Sequence, residues 1–191
     1  MKINLKNKKV RAAIVATVVI LVPLGGVFVW GYGQANFIEN DYVDIESDVR
    51  VIKDTAIERN DIILKSQADI LKYINDKKTL ENIDTKTKEL IELSEFSEST
   101  SDTNKRIDMI NEVNKDVNKV LVELYKNEKV KQDEKLSKSI ESIEELDYSI
   151  DGIIKELAVG SLKEYNERLN KFPVKSYAEK RNMEKINIIK N

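Results

Sequence analysis

Apolar side chains recur along residues 37–93 at alternating steps of four and three. The series is Ile38, Tyr42, Ile45, Val49, Ile52, Ala56, Ile63, Ile70 and Tyr73, interrupted only by Arg59 and Ser66. A 3.5-residue period belongs to helices packed nearly parallel or antiparallel, so the spacing predicts a long helix with one buried edge. Thr79, Leu80, Ile83, Leu90 and Leu93 extend this helix, with a break near Asn75-Asp76. Residues 94–104 are rich in Ser, Thr, Asp and Glu and read as a connection, with Asp102 or Thr103 as the cap of the next helix. A second stripe runs Ile107, Ile110, Val113, Val117, Val120 or Leu121, and Leu124, and ends near Tyr125. The charged stretch 127–135 is a turn or an exposed piece of helix. A third stripe runs from Leu136 through Ile140, Ile143, Leu146, Ile150, Leu157, Leu162, Tyr165 and Leu169 to Phe172. Pro173 stops it, because the residue before proline avoids the helical region. Gly152 and Gly160 inside this stripe mark a close helix contact or a kink. Met183, Ile186 and Ile189 predict a short amphipathic tail helix.

The amino-terminal end has a different pattern. Ala12 to Tyr32 contains no charged residue. Twenty-one residues at helical rise cover roughly 31 Å, the thickness of a bilayer hydrocarbon core. Trp30 and Tyr32 stand at the far end, where amphipathic rings favour the membrane interface. Pro23, Gly25 and Gly26 are tolerated in a membrane helix. The run exceeds the usual apolar region of a secretory signal, although Gly33-Gln34-Ala35 would suit cleavage, so the reading is an uncleaved signal anchor. The expected fold is all-α. A transmembrane helix at 12–32 follows a basic leader at 1–11. It leads to an elongated antiparallel bundle of three long helices at 34–173 and a tail helix at 174–191.

Charge orients this arrangement. Lys2, Lys6, Lys8, Lys9 and Arg11 precede the span, whereas Glu39, Asp41, Asp44, Glu46 and Asp48 follow it. Basic flanks stay on the cytoplasmic side, which places the amino terminus inside and the body outside the cell membrane. Beyond residue 33 the chain holds 27 basic and 34 acidic side chains, a poor surface for nucleic acid. Partners are then the lipid bilayer and other membrane or envelope proteins. A second copy could use any apolar face the monomer leaves open.

Three short segments carry a family resemblance. Tyr165-Asn166-Glu167-Arg168-Leu169-Asn170-Lys171-Phe172-Pro173 resembles the Y-N-x-x-I-x-x-F-P signature near the carboxyl end of LemA family proteins. Ile57-Glu58-Arg59-Asn60-Asp61-Ile62-Ile63 is similar to that family's R-R-x-D-L-I, and Lys78 to Ile83 to its T-L-E-x-V. Leu64 and Lys65 stand where the family usually has proline and asparagine. The resemblance implies a membrane-anchored antiparallel helical bundle and no established activity. Its motif residues here are Arg59, Asp61, Tyr165, Asn166, Phe172 and Pro173.

Each of these residues has a structural reading. Arg59 either reaches past the apolar edge to water or pairs with an acid on a neighbouring helix; a ligand or partner contact is the alternative. Tyr165, Asn166, Phe172 and Pro173 would hold the end of the third helix against the first. Glu144, Glu145, Asp147 and Asp151 read as a solvated face. The chain has no Cys and no His, which excludes thiolate chemistry and the commonest general base and metal ligand. No phosphate-binding loop, zinc-protease motif, calcium loop or serine-hydrolase elbow is present. Catalysis would fall to carboxylates, Lys, Tyr or Ser on helix faces, so the expectation is no enzyme, no cofactor and no metal. The function expected is a scaffold or interaction protein at the cell envelope. The alternative is an extracytoplasmic sensor bundle acting through a separate membrane signalling partner.

Overall fold

The computed structural model describes residues 8–93 and 99–190, with side chains from Val29 onward. Helix α1 (Lys8–Lys65) is a single 58-residue helix, and a short turn of helix, α2 (Gln67–Ile70), closes it. The remaining helices are α3 (Lys77–Glu92), α4 (Thr100–Tyr125), α5 (Glu134–Val159), α6 (Ser161–Arg168) and α7 (Val174–Lys180). A 3₁₀ turn at Glu128–Gln132 joins α4 to α5, and no strand occurs among the described residues.

Side-chain pairs fix the helix directions. Lys53 Nζ donates to Leu93 O at 3.1 Å and Asn60 to Thr87 at 3.0 Å, so α3 runs antiparallel to α1. Lys86 meets Asp116, and Lys119 meets Asp76, so α4 reverses again and runs parallel to α1. Arg59 meets Asp147 and Ser66 meets Ser139, which sets α5 antiparallel to α1. The body is therefore an up-down-up-down bundle of four helical layers, not three. The first stripe does not continue through residues 75–76, because the chain turns there. Asp76 caps the new helix, accepting from Thr79 N at 3.1 Å and from the Thr79 hydroxyl at 2.7 Å.

The heptad stripes form the core as their spacing requires. Ile38, Ile45, Val49, Ile52 and Ala56 of α1 pack with Ile107, Ile110, Ile150 and Leu157. Ile63 and Ile70 pack with Leu80, Ile83, Val113, Val117 and Ile143 in a second cluster. Each valine, leucine or isoleucine among them contributes about 1.5–3 kcal/mol by leaving water.

Other boundaries shift for local reasons. Helix α4 starts at Thr100 with Ser99 as its cap position, so Asp102 and Thr103 lie inside the first turn. The third stripe is split at Gly160, the kink between α5 and α6. A Cβ there would lie 3.1 Å from Glu156 O. The tail is helical only over α7; residues 183–190 are not helical. The predicted span at 12–32 lies on α1, but the side chains of 12–25, 27 and 28 fall outside the described residues. Among the described residues no helix is long and apolar enough to cross a membrane.

The α3 cap gives a stability prediction. Hydrogen bonds from Lys119 and Thr79 hold the Asp76 carboxyl down to about 2, against an ordinary value of 3.8. Its contribution is full above the ordinary value and disappears as pH falls from about 4 through 2. Asp76→Ala should lower stability by about 1 kcal/mol at neutral pH. In urea titrations the deficit relative to the parent chain should shrink as the pH approaches 2.

Candidate functional site

Two buried arginines interrupt the apolar core. Arg59, 1% exposed, sits between the two clusters at the stripe position that broke the apolar pattern. Its Nη1 donates to Asp147 Oδ1 at 2.5 Å, Nη2 to Asn114 Oδ1 at 2.8 Å, and Nε to Asn60 Oδ1 at 3.3 Å. Asn60 in turn donates to Thr87, so all four helical layers contribute to one polar plane. Of the two structural readings of Arg59, the structure has the interhelical pair. Asp147 accordingly leaves the solvated face assigned to it, because the arginine reaches across from α1 to meet it.

A second polar plane links α1 and α4. Arg106 and Glu46 are each 1% exposed and form an ion pair through Nη2 and Oε1. The Thr103 hydroxyl donates to Glu46 Oε2 at 2.8 Å and lies 3.0 Å from the Tyr42 hydroxyl. Arg106 Nη1 is buried without a hydrogen-bond partner among the described residues. Glu46 lies on the core side of α1 and Arg106 precedes Ile107 on α4; the sequence carries no signal for the pair, because each stands among other charged residues.

Tyr165 is fully buried, with its ring centroid 6.2 Å from that of Tyr42. Burial pushes its hydroxyl above the ordinary tyrosine value. That hydroxyl donates to Glu184 O at 3.2 Å, while Asn166 next to it reaches the same tail. Pro173 packs on α1 at Gly31, where a Cβ would lie only 3.1 Å from the proline Cγ. Phe172 does not join this contact and is 71% exposed. The proline ring takes the slot on α1, so the preceding side chain faces out. Asp61 is exposed and, among the described residues, its ion pair is with Lys65 on its own helix.

The most elaborate arrangement lies between α4 and α6. Residues 183–190 run along α4 in an extended path, and side-chain amides hold their main chain. Asn104 donates to Lys185 O at 2.8 Å and accepts from Asn187 N at 2.7 Å. Asn111 repeats the grip one heptad later, donating to Ile188 O at 3.0 Å and accepting from Lys190 N at 2.5 Å. Asn166 holds both main-chain groups of Ile186 from the other side, at 3.0 and 2.9 Å. Asn114 donates to Lys190 O, and Thr100 accepts from Glu184 N. Ile186 and Ile189 are buried, and Met183 packs on the same cluster. The signal for this groove was the polar run Thr100, Asn104, Asn111 and Asn114 on one helix, which by composition alone resembles any solvated flank.

Among the described residues no group of three acidic side chains converges to hold a metal ion. The broad depression at Glu141, Glu144, Glu145 and Tyr148 is an open acidic surface. No family model, no curated protein and no solved structure matches the chain.

Proposed function

We propose that this chain is a single-pass membrane protein of the LemA type. Its bundle serves as a scaffold or interaction module at the cell envelope, without catalysis. The observation that carries this reading is the continuity of α1. One helix leads from the basic leader through the apolar run and becomes the central member of the bundle. Such a joint transmits position from the membrane to the body without a flexible linker.

A collar of exposed apolar side chains supports the same reading. Val29, Trp30, Tyr32 and Phe37 on α1 are all more than half exposed, and so is Phe172, next to the Pro173–Gly31 contact. Aromatic rings gathered where an apolar run ends are favourable in the headgroup region. The guanidinium of Arg168 lies 5.6 Å from the Phe37 ring centre, adding a cation at the same level. In this reading Phe172 and Pro173 divide their roles: the proline packs the bundle onto α1 and the phenylalanine faces lipid.

Topology is the direct test. The parent chain has no cysteine, so Glu134→Cys places one thiol at an exposed position at the start of α5. Labelling by a membrane-impermeant maleimide in intact cells is the expected result, with the protein in the membrane fraction. Labelling only after lysis would reverse the orientation. Recovery in the soluble fraction would remove the anchor.

A further inference from the structure

The tail is held the way a receptor holds a peptide. Residues 184–190 make no main-chain to main-chain hydrogen bond among the described residues; side chains instead bond the N–H groups of residues 184, 186, 187 and 190 and the carbonyls of 184, 185, 186, 188 and 190. Asn104 spans the carbonyl of residue 185 and the N–H of 187; Asn111 spans 188 and 190. A shift of seven residues along α4 thus equals a shift of three along the tail. Seven helical residues rise about 10.5 Å, and three residues of an extended chain with threefold repeat rise about 9.3 Å, so the registers match. The inward side chains repeat with the same period: Met183, Ile186 and Ile189. Contacts to main chain read extension rather than sequence, whereas the aliphatic sockets select residue type.

We propose that the groove between α4 and α6 is a binding site for an extended segment of a partner protein bearing aliphatic residues at every third position, with residues 183–190 as its resident occupant. The tail enters after Asn182, whose φ of 52° turns the chain out of α7. Release at that point frees the segment without unwinding a helix. This inference rests on the interaction role proposed for the bundle but not on its anchor, so the topology result and the result below fail separately.

The test uses the full chain with Ile186→Asp and Ile189→Asp, which empties the sockets while keeping every other residue. A fluorescent peptide with the sequence of residues 181–191 should bind this opened chain saturably. Binding should be at least about tenfold weaker to the parent chain, whose own tail competes at high effective concentration. Adding Asn111→Ala to the opened chain should weaken binding roughly five- to tenfold, the effect of two lost hydrogen bonds. Proline in place of Asn187 in the peptide, whose N–H is held by Asn104, should abolish binding. Proline in place of Ile188, whose N–H no side chain holds among the described residues, should leave it within about threefold.

A folded opened chain that rejects the peptide would overturn the proposal. Equal binding of both proline peptides would also overturn it, as would a parent chain that exchanges tails into a dimer and takes up no added peptide. Should the opened chain fail to fold, hydrogen exchange on the parent chain decides. The amides of Ile186, Asn187 and Lys190 are expected to exchange well ahead of that of Ile110 in the α4 core. Equal rates would mean that the tail opens only with the whole bundle, and the groove would then be no receptor.

Discussion

Arg106→Met is expected to destabilise the bundle by about 3–5 kcal/mol, the usual cost of removing one partner from a buried ion pair. Glu46 would keep its Thr103 hydroxyl but lose its cation at 1% exposure. Methionine retains much of the arginine's apolar length, so most of the loss is electrostatic. The pair itself is not expected to be a net source of stability. Desolvating two charges offsets most of their attraction, and Arg106 Nη1 gains no partner among the described residues to compensate. The double variant Arg106→Met with Glu46→Leu should therefore recover most of the loss. Urea midpoints of the two single variants and the double variant form the cycle. A double variant as unstable as the singles combined would show that the ions stabilise the fold in their own right. Arg59 differs in having two asparagines and an aspartate around it, so its plane is better satisfied and its partners come from more helices.

Removing residues 183–191 is expected to lower stability by about 2–5 kcal/mol, similar to the loss of one large core side chain. The gross loss is greater, since Ile186 and Ile189 are both buried and the groove-lining amides lose their partners. Ordering eight residues, however, costs about 1–2 kcal/mol each in chain entropy, which the truncated chain no longer bears. The same reasoning sets a limit on point variants. Ile186→Ala and Ile189→Ala can together cost no more than the free energy of docking the tail, because the segment can leave the groove instead. Their effects should therefore saturate at the value of the truncation. Urea midpoints test this, and a double alanine variant less stable than the truncated chain would make the tail an inseparable part of the core.

The two arginine planes and the tail groove stand in different relations to the sequence. Arg59 was visible as the break in an otherwise apolar stripe, and a charge at a stripe position calls for a partner across the bundle. Its partner was not visible, since Asp147 has acidic neighbours at 144, 145 and 151 that look alike in one dimension. Glu46 and Arg106 were hidden for the same reason: each lies in a charged stretch, and only the parallel pairing of α1 with α4 brings them to one level. Asp61, which the family resemblance also marks, pairs along its own helix among the described residues and joins neither plane.

The tail shows the limit most clearly. Met183, Ile186 and Ile189 repeat every three residues, and a helix and an extended threefold chain both place such residues near one face. The two periods differ by about 60° per step, which three positions cannot resolve. What decides is the space between α4 and α6, filled by eight residues of chain held at seven main-chain groups by the asparagines of α4 and Asn166.

By itself, the sequence determined the all-helical class, the heptad faces that form the core and the end of the second helix near Tyr125. Periodicity and helix-breaking residues are local, and burial follows from them. The tertiary structure alone decided that the chain reverses at Asp76 into a fourth layer. It also decided which charges meet in the core and that the tail runs extended in a groove. These depend on contacts between residues 20 to 88 positions apart, and no local pattern encodes a partner at that distance.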